Sequence, residues 1–236
     1  MSMYPGKCAE PAKPKKTLSP RWKNESKRKG CTMEKRFLEW TMELQSIAQV
    51  GLAYSKDPYD LERYQQLMHL ATTMSEYYSG VEVQQITRAF AMQSGYATPK
   101  VDVRAVIVED NRILLARERQ DDLWTLPGGW AEVTLSPAEN VIKEVKEETG
   151  YNVEVLRLVA LWDKLKHDHP PQWPHAYKCF FQCNIIGGEA TSTLETSDVQ
   201  WFALDQLPPL STPRVTATQI QALCRIIREN LVTAYD

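Results

Sequence analysis

The sequence predicts an α/β fold, a sandwich on a mixed sheet preceded by a small all-helical domain. Three observations predict it. Apolar residues recur at steps of three and four up to about residue 90, then switch near Val101 to the two-residue period of strands. One well-capped helix, from Ser136 to Gly150, is embedded among strand-like runs. A further helical run closes the chain from Thr216 to about Thr233, and helices placed this way among strands give a layered sandwich.

Taken in order, residues 1–32 carry nine Lys or Arg against Glu10 and Glu25 and few aliphatics, so they are expected to form a disordered basic leader. Residues 33–95 read as a helical domain. Phe37, Trp40, Leu44, Ile47, Ala48 and Gly51 make one stripe, and Leu61, Tyr64, Met68, Ala71, Met74 and Tyr78 a second. Between them Asp57 is placed to cap a helix that Pro58 begins. Val83, Ile86 and Phe90 suggest a third short helix. Residues 99–236 form the sandwich: "VDVRAVIV" and "RILLARE" flank an "EDN" turn as a hairpin, and "VEVLRLVALW", "HAYKCFFQCNII" and "DVQWFAL" are later strands.

With 236 residues, 43% of them hydrophobic, the chain can bury one substantial core, or one core and an accessory domain. The net charge of −2 gives no global pull toward nucleic acid or membrane, and the basic excess is confined to the leader. Nucleic acid is therefore not expected as a partner. No apolar run is long enough to span a bilayer, and no signal-peptide core is present. Five cysteines include no CxxC pair, and the even spacing of Cys179 and Cys183 puts both on one strand face as buried thiols. The expected compartment is the cytoplasm.

The embedded helix carries the chemistry. Ser136, Pro137 and Glu139 make a capping box with a first-turn proline, and Gly150 suits a left-handed stop. Ala138, Val141, Ile142 and Val145 form its buried stripe. Glu144, Glu147 and Glu148 crowd another face at i, i+3 and i+4, two of them in the last turn, where the helix dipole disfavours anions. A solvated acidic face with Lys143 and Lys146 as partial neutralisers explains these acids equally well. The "LPGG" ahead of the helix favours a site, because it offers a side-chain-free backbone for close approach of a phosphate or a metal.

Gly128 and Gly129, the capped helix and "KEVKEETGY" from Lys143 to Tyr151 resemble the Nudix box, G-x5-E-x7-R-E-U-x-E-E-x-G-U with U a bulky hydrophobe. The resemblance covers roughly residues 99–232. The helical segment before it, "HPPQ" and "RVTATQI" are similar to a branch related to ADP-ribose and CDP-choline pyrophosphatases. Three positions depart from the pattern: Leu135 stands for the first glutamate, Thr134 where glycine is frequent, and Lys143 for arginine.

The resemblance implies a Nudix-type α/β/α sandwich. It also implies Mg2+- or Mn2+-dependent hydrolysis of a nucleoside diphosphate linked to another moiety, releasing a nucleoside monophosphate. It assigns Glu144, Glu147, Glu148 and the Gly128 carbonyl to the metal, with these glutamates and Lys143 as the catalytic set. Glu195 is a candidate general base by position. Arg104 is either a phosphate contact or the ion-pair partner of Asp102; Arg214 is a phosphate candidate, and Trp130 could stack on a base. Leu135 and Lys143 also admit an alternative, a module that senses ADP-ribose without hydrolysing it. The helical stripes are too large to leave exposed and are expected to pair with a second copy as a homodimer.

Overall fold

The structure, a computed structural model, describes residues 22–79 and 95–236, with side chains for 36–77 and 95–236. Helix α1 spans Trp22–Tyr54 and helix α2 Pro58–Ser79, and the short link between them turns the pair antiparallel. Asp57 caps α2 as its sequence predicts: its Oδ1 accepts the N–H groups of Tyr59 and Asp60 at 2.9 and 3.1 Å. Gly51 is needed where the helices touch, since a Cβ there would lie 2.3 Å from the Tyr64 ring. Two expectations need restating. Helix α1 begins at Trp22, inside the stretch whose composition predicts disorder; once a helix is nucleated, residues such as Lys, Glu and Arg extend it at little cost. The third short helix falls outside the described residues.

The α1 stripe divides in two. Ala48 is fully buried, with Thr41, Gln45 and Gln49 beside it, whereas Trp40 and Ile47 stand about half exposed. Gln45 donates to Gln49 at 2.7 Å, and Gln49 donates to the Gly95 carbonyl at 3.0 Å, so the buried amides tie α1 to the chain entering the sandwich. On α2, Ala71 is buried and Leu70 is half exposed.

The sandwich contains β1 (Lys100–Val106), β2 (Val108–Glu109), β3 (Arg112–Glu118), β4 (Trp124–Thr125), α3 (Pro137–Thr149), β5 (Tyr151–Asp163), β6 (Ala176–Gly188), β7 (Thr196–Ala203), α4 (Ala217–Arg228) and β8 (Ala234–Tyr235). One mixed sheet has the order β1-β6-β5-β8, with β1 parallel to β6 and β5 antiparallel to it. The second sheet has the order β2-β3-β4, with β7 antiparallel on β3. The expected hairpin forms only at its tip. Asp110 and Asn111 take positive φ of 47° and 59° in the turn, and Val108 pairs with Ile113. The rest of β1 joins β6 in the other sheet, which suits a run buried on both faces. The closing helix stops at Arg228 rather than near Thr233, and the chain returns as β8 beside β5.

Cores lie on both sides of the mixed sheet. Val103, Ala105 and Ile107 of β1 pack with Val141 and Val145 of α3, while Val106, Phe180 and Trp162 pack with Ile220 and Leu223 of α4. Cys179 and Cys183 are free thiols on the α3 side. Alternation along β1 places Asp102 and Arg104 on the same face as Val106, at the open end of the α4-side core. That end is where α3 presents its acids.

Candidate active site

Helix α3 is fixed at both ends by its own sequence. Ser136 Oγ accepts the Glu139 N–H at 3.2 Å, and Glu139 Oε2 accepts the Ser136 N–H at 2.8 Å, closing the capping box. Gly150 ends the helix with φ of 79°, donating its N–H to the Lys146 carbonyl at 3.1 Å. With Val141 and Val145 buried beneath it, the helix is locked in rotation, and the positions of its three glutamates follow.

They have different surroundings. Glu148 is 4% exposed and accepts the Gly128 N–H at 2.7 Å. Glu144 is half-buried and lies over Gly129, where a Cβ would come within 2.9 Å of its Oε2. Glu147 is mostly exposed and pairs with Lys143 Nζ at 3.0 Å. The glycines are required by geometry. Gly128 has φ of 136°, and a Cβ there would sit 2.1 Å from the Val103 carbonyl oxygen. Strand β1 uses the carbonyls on either side, Pro127 at 2.8 Å and Gly129 at 2.8 Å, leaving that of Gly128 outside its ladder.

Burial pushes Glu148 up to about 8; the Arg104 charge and the Gly128 N–H oppose this, and the Glu118 and Glu144 charges add to it. Burial also raises Glu144 and Glu118, and the Glu195 charge adds to both shifts. Carboxylates from β3, α3 and the loop before β7 thus act on one another, with Arg104 and Arg214 as counter-charges. Among the described residues, no three His, Cys, Asp or Glu side chains are gathered closely enough to hold a metal ion. What is present is an open set of hard oxygen donors. Burial makes these acids costly to ionise without a cation, and a glycine turn leaves room beside them. Oxygen donors of this kind are those a hard divalent cation takes. Glu118 went unread in the sequence, although an acid ending the apolar run "RILLARE" was its signal.

The departures from the box acquire a structural account. Thr134 adopts φ of 73°, the left-handed conformation that glycine takes most easily, so this β-branched residue holds a strained turn. Lys143 is held between Glu132 Oε1 at 2.9 Å and Glu147 Oε2 at 3.0 Å. Glu132, three residues before Leu135, thus gives Lys143 a second carboxylate beside Glu147. Asn140, fully buried, fixes that loop: its Oδ1 accepts the Glu132 N–H at 2.8 Å, and its Nδ2 donates to the carbonyls of Glu132, Leu135 and Ser136 at 3.1–3.3 Å. Neither Glu132 nor Asn140 was singled out in the sequence; an acid close to the vacant box position was the available sign.

Of the two readings of Arg104, the structure has it on Asp102, Nε to Oδ1 at 2.7 Å, with Nη1 donating to the Leu126 carbonyl at 3.1 Å. Arg214 pairs with Glu118 at 3.2 Å and Asp121 at 2.9 Å and donates to Gln120 at 2.7 Å. Both guanidiniums border the acids while engaged with protein partners. Trp130 is half exposed and bridges to Asp102 beside β1. Glu195 is exposed on its loop.

Comparison with known proteins establishes the family. Residues 98–223 match the NUDIX domain, and residues 35–90 match the family described as a UDP-X-like, N-terminal oligomerisation domain. The chain belongs to the Nudix family. YjhB of Bacillus subtilis (strain 168), provisionally named an ADP-ribose pyrophosphatase, is 46% identical over 196 residues, which cover 83% of this chain and 94% of that protein. The crystal structure of a UDP-X diphosphatase is 37% identical with a TM-score of 0.58, covering 86% of this chain and 99% of that one. An ADP-ribose pyrophosphatase structure from Streptococcus suis 89-1591 is 44% identical with a TM-score of 0.54, covering 59% of this chain and 100% of that one.

Two outcomes follow from the geometry. Glu132→Ala releases one side of Lys143 and loosens Glu147. Because the pair is exposed, the fold should persist, while the divalent-metal concentration for half-maximal activity rises about 2- to 5-fold. A metal titration of the variant checks this.

The second outcome concerns pH. The folded-state pKa of Glu148, about 8, lies above the ordinary carboxylate value, so the folded protein binds more protons than the unfolded chain between the two. In chelator, stability should therefore be highest at the acid end of that window and fall as pH rises toward about 8. Melting temperatures across this range test it, and Glu148→Gln should flatten the slope.

Proposed function

Taking Nudix membership as the premise, we propose that the chain hydrolyses the diphosphate of a nucleoside diphosphate linked to a second moiety, with Mg2+ or Mn2+ as cofactor. Water adds to one phosphorus, the bridging P–O bond breaks, and a nucleoside monophosphate and the phosphorylated second moiety leave. The observation that carries this reading is the buried Glu148 carboxylate on the Gly128 N–H, with Glu144 over Gly129. The names of the relatives favour ADP-ribose or a UDP-linked compound as substrate, and the sequence resemblance adds CDP-choline.

In this reading Glu144, Glu147, Glu148 and the Gly128 carbonyl would hold the cation, which supplies charge neutralisation of the diphosphate and acidifies water. The protein does the remaining work. Glu144, half-buried with a raised pKa, is suited to receive the proton of the attacking water on a carboxylate oxygen. Glu195 is the other candidate for that proton, since its charge reaches the same space. Arg104 and Arg214 offset the negative charge of the acids and of the approaching diphosphate. The glycines allow a phosphate to approach the backbone closely, and the exposed Trp130 indole is placed to stack on the base.

We also propose a homodimer through α1 and α2. Support comes from the match of residues 35–90 to an oligomerisation domain and from the half-exposed Trp40, Ile47 and Leu70 on that helix pair. Among the described residues, no helix is long and apolar enough to cross a membrane. The buried free thiols Cys183 and Cys224 suit a reducing cytoplasm.

A panel of ADP-ribose, UDP-sugars, CDP-choline, dinucleoside polyphosphates and capped RNA, assayed with Mg2+ and with EDTA, tests the reaction. Release of a nucleoside monophosphate should vanish in EDTA, and Glu148→Gln should keep the fold and lose most activity. Undiminished turnover in EDTA would refute the mechanism. Size-exclusion chromatography with light scattering should give twice the mass of one chain, and Trp40→Asp should reduce it to one.

A further inference from the structure

Strand β6 carries a lysine where the core asks for an apolar side chain, and the mechanism above does not use it. Alternation along β6 puts Lys178 on the face of Phe180, in the α4-side core. Lys178 is fully buried, with Nζ 6.0 Å from the centre of the Phe180 ring. Replacing a buried ion pair by apolar residues is often neutral or stabilising, so stability gives no reason for a lysine here.

What Lys178 touches gives the reason. Register pairs it with Asp102 of β1, and Nζ donates to Asp102 Oδ2 at 2.6 Å. The same carboxylate holds Arg104, which donates Nε to Oδ1 at 2.7 Å and Nη2 to Oδ2 at 3.4 Å. Burial works against ionising Asp102, but these two charges outweigh it and hold the acid at about 2. Burial brings Lys178 down to about 8 against the pull of Asp102, with the Arg104 and Lys164 charges adding to the fall, so the ammonium is charged at neutral pH. Two cations thus share one anion, and one positive charge is left over. Without Lys178, Asp102 and Arg104 would form a pair of no net charge.

The surplus lies toward the acids. The Arg104 Cα sits against Gly128, where a Cβ would come within 2.9 Å of it. Against the burial that raises Glu148, Glu144 and Glu118, the Arg104 charge draws each of them down. Besides Asp102, Arg104 donates to the Leu126 carbonyl, from Nη1 at 3.1 Å. That leaves one N–H on each terminal nitrogen without a partner among the described residues. A diphosphate brought to these acids meets a guanidinium that is fixed in place, has N–H groups to offer and keeps its charge.

We propose that Lys178 is a positioning residue for the diphosphate: by balancing Asp102, it lets that carboxylate hold Arg104 without cancelling the charge that Arg104 offers the substrate. That role rests on the hydrolase reading above. The diphosphate is anionic in the substrate and in the transition state alike, so a lost charge should appear in KM rather than in kcat. With the fastest substrate of the panel above, Lys178→Met should raise KM about tenfold and change kcat less than about threefold. Its divalent-metal requirement should not rise, since removing a positive charge does not repel a cation. Adding Asp102→Asn to Lys178→Met removes one negative charge and restores the balance, so KM should return to within about threefold of wild type. A lysine that only ties β6 to β1 predicts the reverse, because the second substitution takes away a further contact. Calorimetric binding of inorganic pyrophosphate with Mg2+ present reads the same charge without turnover and should rank the three proteins in the same order. An unchanged KM and pyrophosphate affinity in Lys178→Met, or a double variant weaker than the single one, would overturn this role. If the wild type leaves every compound of the panel intact yet the three proteins bind pyrophosphate in that order, the hydrolase reading fails alone and the role of Lys178 stands. If the wild type does neither, both fall.

Discussion

The contact between the Gly128 N–H and the Glu148 carboxylate constrains much of the structure around it. It joins the last turn of α3 to the turn leaving β4, and it forms only if a chain without side chains runs directly beneath the helix. Gly128 must accept φ of 136° with the Val103 carbonyl against its Cα, and β1 must bond the carbonyls on either side. The helix must in turn be held in rotation by Val141 and Val145 and in position by its two caps. A carboxylate buried in this way is costly to ionise. The same arrangement therefore sets a fixed frame and creates a place where a cation is worth binding.

Stability and chemistry oppose one another along α3. Acids in the last turn meet the unfavourable end of the helix dipole and one another, each an effect of about 0.3–1 kcal/mol when exposed. The helix tolerates them because its caps, its apolar stripe and the bond from Lys146 Nζ to the Gly150 carbonyl at 2.9 Å act in the other direction. Within the triplet the load is unequal. Glu147 pairs with Lys143 at the surface, whereas Glu148 is buried and Glu144 half-buried.

Local signals were legible in the sequence; distant ones were less so. The capping box, the Gly150 stop, the Asp57 cap and the turn at Asp110 and Asn111 depend on neighbours within a few residues, and each stands in the structure where its residues put it. The partner of β1 was not legible, because a continuously apolar strand carries no mark of which sheet it joins. What covers the α1 face was not legible from the chain alone either. Helical periodicity shows that Trp40, Ile47 and Ala48 share a side, and one chain buries Ala48 while leaving Trp40 and Ile47 half exposed. At the site, the acids of α3 could be read from their spacing. Glu118, Asn140 and Lys178 could not, since their roles come from strands and loops that meet only after folding.

The departures at Leu135 and Lys143 show why a motif position and a physical role are separable. Position 135 carries no acid, yet Lys143 has two carboxylates, Glu147 on its own helix and Glu132 from the loop before it. The pair with Glu132 requires the loop from Glu132 to Ser136 to keep one shape. Asn140 fixes the shape by bonding four backbone groups of that loop, and Thr134 accepts a left-handed backbone to close it. Lys143 suits the exchange. An ammonium is a compact charge that binds acids from several directions, whereas a guanidinium fork asks for one planar partner. A lysine held between Glu132 and Glu147 thus preserves the charge balance of the helix face at the expense of some rigidity, and the vacant position is left free for an apolar side chain.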